Sequence, residues 1–369
     1  MNNAQKYGFR EDLKIFEGHM HLETPLPVDE TVELFRKVKE YYGYEYMNVL
    51  AIPNSFRGSE NKIDMIANLK AIYCKSRIPE MYASSGLIHY LDERDTAESF
   101  LKQAERAYAQ GFDGFKCLEG KPKLRKAIGR RLDDPIYDLF YGFAEEKGMP
   151  IVMHVADPAS FWDISSASEY AIKMGWICDE TYPTKDELHE ETEGFLKKFP
   201  KLKLVLAHFN YMADDLERCD AFLTKYPNVY FDLTPGASMF VHFNKRLDDW
   251  REFFCRYRKR LVYGSDTYNF RMEEGTMHLP YTDRINYVRY FLETDREFTF
   301  NDNKLRGILL PDDVLEDIYY NNTYNLLGER RSINYAAVLE ECEELLKSET
   351  DELTLLNVQT IKALCGWKL

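Results

Sequence analysis

Several features are scarce or missing in this chain, and each absence removes a class of function. No apolar run approaches the ~20 residues that a membrane span needs, and Met1 to Lys14 is polar and charged rather than built like a signal peptide. We therefore expect a cytoplasmic protein without a membrane partner. Cysteine is sparse and unpatterned: the seven residues Cys74, Cys117, Cys178, Cys219, Cys255, Cys342 and Cys365 show no CxxC spacing. That pattern argues for reduced thiols rather than a disulfide frame or a zinc ribbon. Basic charge is in deficit, with 48 Lys and Arg against 62 Asp and Glu and a net charge of -14. Nucleic acid and anionic lipid need the opposite sign, so neither is an expected partner. A small-molecule substrate is unaffected by this, because a metal site is locally positive inside an acidic protein. No GxGxxG or P-loop turn follows the first apolar stretch, which counts against an open nucleotide-binding sheet.

What the chain does contain is a repeated alternation of short apolar runs and amphipathic helical stretches. The runs that read as strands are Leu13 to His21, Tyr46 to Ile52, Met81 to His89, Phe112 to Cys117, Pro150 to His154, Leu202 to His208, Val229 to Leu233 and Leu261 to Asp266. Between them, helical punctuation recurs. Asp95-Thr-Ala-Glu98 resembles a capping box, Phe100, Leu101, Ala104 and Ala107 make an apolar face, and Gly111 stands where a helix would stop. Pro135 can open a further helix with Ile136, Leu139, Phe140 and Phe143 facing inward, and Gly148 closes it. Eight strands alternating with helices over roughly 250 residues predict an α/β fold, a (β/α)8 TIM barrel. The barrel is expected over residues 1–330. Residues 331–369 are expected to form a C-terminal helical extension that packs on the barrel or on a second subunit.

The polar residues at the ends of these runs carry the chemistry. His19 and His21 lie two apart, so on a strand both imidazoles face one way and can reach a single metal ion. His154, His208 and Asp266 end the fifth, sixth and eighth runs. A barrel gathers its strand C-termini at one mouth, where these five metal-competent side chains would converge. A lone strand-end histidine is more often a satisfied core residue, but five at matching positions are hard to assign to chance.

With these residues in place, the chain resembles the amidohydrolase superfamily, specifically its amidohydrolase-related branch of metal-dependent TIM-barrel hydrolases and decarboxylases. The resemblance runs from about His19 to Gly328, where Ile318-Tyr-Tyr-Asn-Asn-Thr-Tyr-Asn-Leu-Leu-Gly looks like that branch's closing helix. It implies that His19, His21, His154 and Asp266 are metal ligands, and that His208 is either a ligand to a second metal or a catalytic histidine beside the first. It further implies a hydrolase of amide, lactone or related bonds, with Asp266 relaying the proton of a metal-activated water and His208 stabilising the oxyanion or orienting the water. A non-oxidative decarboxylase of a small hydroxycarboxylic acid is the alternative, with Arg57 or Arg271 as the cation for the carboxylate.

On the fourth strand, Lys116 and Glu119 leave three arrangements open: a carboxylated Lys116 bridging two metals, a Glu119 bridge, or no bridge. One or two divalent ions follow, zinc first on ligand type, with manganese, iron or cobalt as alternatives. Trp162 either stacks on a substrate ring or anchors its loop. His89 either lines the pocket or serves the structure, and His189, in an acidic helical run, is expected to face solvent. Many relatives of this branch carry glycines after the sixth-strand histidine, whereas Phe209, Asn210 and Tyr211 follow His208 here, so the pocket beside it should be differently shaped. The resemblance also suggests a homodimer.

Overall fold

Eight parallel strands follow one another around a single sheet in chain order: β1 (Ile15–His21), β2 (Tyr44–Leu50), β3 (Met81–Gly86), β4 (Gly114–Gly120), β5 (Ile151–Val155), β6 (Leu204–Leu206), β7 (Val229–Asp232) and β8 (Leu261–Val262). This computed structural model describes residues 1–22, 26–57, 60–236, 238–267, 271–273, 276–278, 282–300, 302–347 and 351–369, with no side chains given for 55–57, 60–61, 170, 271–273, 276–278 and 282. The ends of the sheet meet where the Gly18 amide donates to the Tyr263 carbonyl at 3.3 Å, Asp266 N–H to His19 O at 2.8 Å and His21 N–H to Thr267 O at 2.9 Å. The expected TIM barrel is therefore present. Two glycines permit that seam. A Cβ on Gly18 would lie 2.9 Å from the Tyr263 carbonyl oxygen, and one on Gly264 would lie 2.7 Å from the His19 Cβ.

Helices cover the outside of the barrel, and their ends follow sequence chemistry. The helix Ala97–Gln110 starts in a capping box, but the pair is Thr96 with Ser99 rather than Asp95 with Glu98. Asp95 is already committed, accepting from the Tyr90 and Leu91 amides at 2.9 Å each. Phe100, Ala104 and Ala107 are buried as expected. The helix Asp138–Lys147 follows a short 3-10 turn from Pro135 and buries Phe140, Tyr141 and Ala144, while Leu139 stays 43% exposed. Inside the barrel, Leu50, Val152, Val205 and Val262 form a small cluster with Leu326. An apolar cavity runs beneath His19 and Asp232 along Val152, Val205, Val262 and Leu326, so the floor under the polar mouth is low in dielectric.

At the other end of the strands, Lys75 and Asp113 form a fully buried ion pair at 2.7 Å. Asp113 also accepts from the Ala83 amide and the Arg331 amide, each at 2.9 Å, which ties the segment after the barrel back to β3 and β4. Two C-terminal helices, Tyr335–Leu345 and Glu352–Lys368, pack on barrel helices. Their polar anchors are Arg106 on Glu341 at 2.9 Å and the Val28 amide on Asn357 Oδ1 at 2.9 Å. Among the described residues no helix is long and apolar enough to cross a membrane.

Candidate metal centre and active site

A buried carboxylate organises the mouth of the barrel. Glu17 accepts from the His19 amide and from the Ser265 amide, each at 3.0 Å, and so pins the irregular end of β1 against β8. Burial pushes its carboxyl up to about 7. The strand then turns His19 and His21 toward one point. His19 Nδ1 lies 2.6 Å from Asp232 Oδ2, at the end of β7, and His21 Nδ1 lies 3.0 Å from the Leu50 carbonyl. Both contacts are to acceptors, so both Nδ1 atoms carry the proton and both Nε2 atoms present lone pairs.

Those two Nε2 atoms are only 3.1 Å apart, and Asp266 Oδ1 lies 3.1 Å from His21 Nε2 and 3.7 Å from His19 Nε2. Three electron-pair donors thus face one another within 4.8 Å. Acceptors crowded this closely are unfavourable unless a cation lies between them, so this donor set fits a divalent ion held by His19, His21 and Asp266. Burial, which would lift the Asp266 carboxyl, is outweighed by its closeness to His21, His208 and Arg284, and it stays well below the usual carboxylate range. Burial drives His19 and His208 well below the ordinary imidazole value, with the Lys116 ammonium adding to the effect at His19. His19 and Asp266 are therefore in the protonation states a metal requires.

The other expected residues divide. His154 and His208 flank the trio, with ring centroids 5.0 Å apart, and His208 lies 5.9 Å from His19. His154 Nε2 is 3.2 Å from Asp157 Oδ1. The Thr234 hydroxyl donates to Asp232 Oδ1 at 2.5 Å and accepts from His208 Nδ1 at 2.9 Å. His208 Nε2 is then a lone pair, which can orient a water but has no proton for an oxyanion. Lys116 reaches the centre, its Nζ 3.1 Å from His19 Nε2, and burial pushes it down to about 8.

Glu119 points elsewhere. Its Oε1 is 2.8 Å from His89 Nε2, and that buried pair leaves it outside the group that could hold a metal. His89 lies beyond the end of β3 and serves this pair. Trp162 anchors its loop through Nε1 to the Pro183 carbonyl at 3.1 Å. Arg57 and Arg271 fall in short hairpins whose side chains lie outside the described residues. His189 is buried, not solvent-facing, because it bridges the Asn210 carbonyl at 3.1 Å and Arg218 Nη2 at 3.0 Å.

Three contributors escape a reading of the sequence. Asp232 ends β7 and accepts from His19, from the His208 amide at 2.7 Å and from the Thr234 amide at 3.1 Å. Its only signal was an acid at the end of Val229-Tyr-Phe-Asp. Arg284, from the helix Thr282–Glu293, brings Nη1 to 3.4 Å from Asp266 Oδ2 and donates from Nη2 to the Pro235 carbonyl at 2.8 Å.

The third is a left-handed turn directly after β6, with φ of 56° at His208, 55° at Phe209, 53° at Asn210 and 50° at Tyr211. Non-glycine residues resist this conformation by roughly 1–2 kcal/mol each, or about 4–8 kcal/mol for four. Burial of Phe209 against Phe231, Phe243 and Trp250 returns only about 1.5–3 kcal/mol. The grips on the His208 amide by Asp232 and on the Asn210 carbonyl by His189 are needed as well.

A family model described as Amidohydrolase matches residues 75–328. No curated protein matches the sequence. Among solved structures, 4-oxalomesaconate hydratase from Rhodopseudomonas palustris superposes with a TM-score of 0.53 at 13% identity, covering 90% of this chain and 98% of its own. An amidohydrolase superposes at 0.52 with 16% identity, covering 86% of this chain and 100% of its own. A dihydroxybenzoic acid decarboxylase from Polaromonas sp. JS666, with bound manganese and 2-nitroresorcinol, superposes at 0.50 with 14% identity, covering 87% and 98%. At these identities the likeness is one of fold.

Proposed function

Because the chain belongs to the amidohydrolase family, whose members are generally dependent on a divalent metal, we propose that it is a mononuclear metal-dependent hydrolase of a small, carboxylate-bearing molecule. The observation that carries this reading is the state of Asp266. It reaches the shared point with one oxygen while Arg284 holds the other, and it is ionised. An ionised carboxylate can accept a proton from an attacking water and pass it to a leaving group. Zinc suits two imidazoles and one carboxylate best. When bound, the ion would supply Lewis-acid polarisation of the scissile bond and acidify the attacking water. His208 Nε2 offers an acceptor that orients the water, and Arg284 supplies positive charge for a substrate carboxylate. Glu119, held by His89, is withdrawn from bridging, which favours one ion over a Glu119-bridged pair.

One observation favours a second reading, a decarboxylase. Arg284 beside Asp266 would suit the carboxylate to be lost. Against it, Asp266 is ionised and His208 presents a lone pair, so neither is a ready proton donor to carbon.

The test is to offer metal-loaded protein a panel of carboxylate-bearing amides and lactones together with hydroxyaromatic acids. Hydrolysis, falling by about 10²–10⁴ in Asp266→Asn with the fold retained, supports the proposal. Release of carbon dioxide without hydrolysis establishes the second reading.

A further inference from the structure

The left-handed turn after β6 holds four successive non-glycine residues in a conformation that glycine would adopt freely. Such strain persists only where the surroundings impose it, and here the surroundings are specific. Phe209 is locked in the aromatic core, Asp232 holds the His208 amide and His189 holds the Asn210 carbonyl. The outcome of these constraints is the position of Tyr211. Its ring centroid lies 5.2 Å from that of His208 and 5.7 Å from that of His154, against the metal centre. Its seat is also bounded by Gly236, where a Cβ would come within 3.3 Å of Tyr211 Cε1.

The hydroxyl makes no hydrogen bond among the described residues, although Asp157, Asp266 and Arg284 lie near enough to act on it electrostatically. Both carboxylates already have other partners. Asp157 is engaged by His154, and Asp266 by Arg284. The phenol proton is thus left for something that enters the mouth.

We propose that Tyr211 is a substrate-binding residue whose phenol donates a hydrogen bond to an anionic oxygen of the substrate, beside Arg284. This rests on the reading of the site as one for a carboxylate-bearing small molecule. It also gives a purpose to the absence of glycine after His208, since a glycine-rich turn would not place a ring there.

The experiment is calorimetric titration of zinc-loaded protein with 2-hydroxybenzoate, a probe with a carboxylate and a ring, for the wild type and for Tyr211→Phe. The substitution keeps the ring and removes only the hydroxyl. Affinity should fall by about 10- to 100-fold, as for loss of a hydrogen bond to a charged group, with zinc content and thermal midpoint unchanged. Equal affinity in the two proteins overturns the role of Tyr211 and leaves the reading of the site intact. A fall accompanied by loss of zinc or a lower midpoint makes the residue structural and overturns the inference. Failure of the wild type to bind the probe overturns the carboxylate reading and the inference with it.

Discussion

Replacing Asp232 with asparagine should weaken metal binding without unfolding the protein. In the native site Asp232 Oδ2 accepts the His19 Nδ1 proton at 2.6 Å, while Oδ1 accepts from the His208 amide at 2.7 Å, the Thr234 amide at 3.1 Å and the Thr234 hydroxyl at 2.5 Å. Asparagine is almost the same size, and its remaining oxygen can keep the three contacts made by Oδ1. Its amide nitrogen then faces His19 Nδ1, donor against donor. His19 relieves this by moving its proton to Nε2, which is the atom that points at His21 and Asp266. The centre loses a lone pair. Changes to the group that orients a metal-binding histidine commonly lower affinity by about 10- to 100-fold, equivalent to about 1.4–2.8 kcal/mol. The fold should hold, because the substitution removes a buried charge and leaves the main-chain donors satisfied. Zinc affinity measured by competition with a chromophoric chelator, alongside thermal unfolding of the metal-free protein, separates the two effects. If the Asp232→Asn protein binds zinc within about twofold of the wild type, far short of that range, the reasoning is refuted.

Other consequences are structural. Lys75→Met leaves Asp113 ionised and fully buried with only two amide partners, so urea unfolding should show a loss of roughly 3–5 kcal/mol with zinc affinity unchanged; a loss below about 1 kcal/mol would contradict the account of that pair. His189 is held down to about 4, chiefly by burial and then by Arg218. Its neutral form is the folded form, so between the unfolded value of 6.5 and 4 the unfolded chain binds the extra proton and stability falls as pH falls, by roughly 3 kcal/mol in all. Glutamine can keep both of its hydrogen bonds without titrating, so His189→Gln should flatten the acid limb of a stability–pH curve, and an unchanged limb would rule His189 out as its source.

The strands and the convergence of His19, His21 and Asp266 were legible because both obey short-range periodicity. His19 and His21 share a strand face, and Asp266 ends an apolar run, so spacing alone brings them to one mouth. Strand ends were less exact, since His208 and Asp266 lie beyond the last paired residues of β6 and β8, in the left-handed region. What the sequence hid depends on long-range partners. Glu119 looked free for a metal until His89, thirty residues earlier, claimed it. His189 looked exposed among acidic neighbours, but its partners Asn210 and Arg218 come from the turn after β6 and the helix that follows. Arg284 arrives from a helix after β8, where an arginine ordinarily faces water, and Asp232 had no second acid nearby to mark it. The turn at His208–Tyr211 contains no glycine, so no residue type announced its handedness. Its departure from the usual glycines was visible, but the direction in which it would aim Tyr211 was not.

The most direct measurement is the divalent metal content per chain, by elemental mass spectrometry, of protein purified without chelator or metal-affinity resin and then reconstituted with zinc. The account requires one ion per chain in the wild type, reduced to a trace in His21→Ala. Two ions per chain would contradict the single-ion centre and return Lys116 to the role of a bridge; none after reconstitution would contradict a metal mechanism altogether.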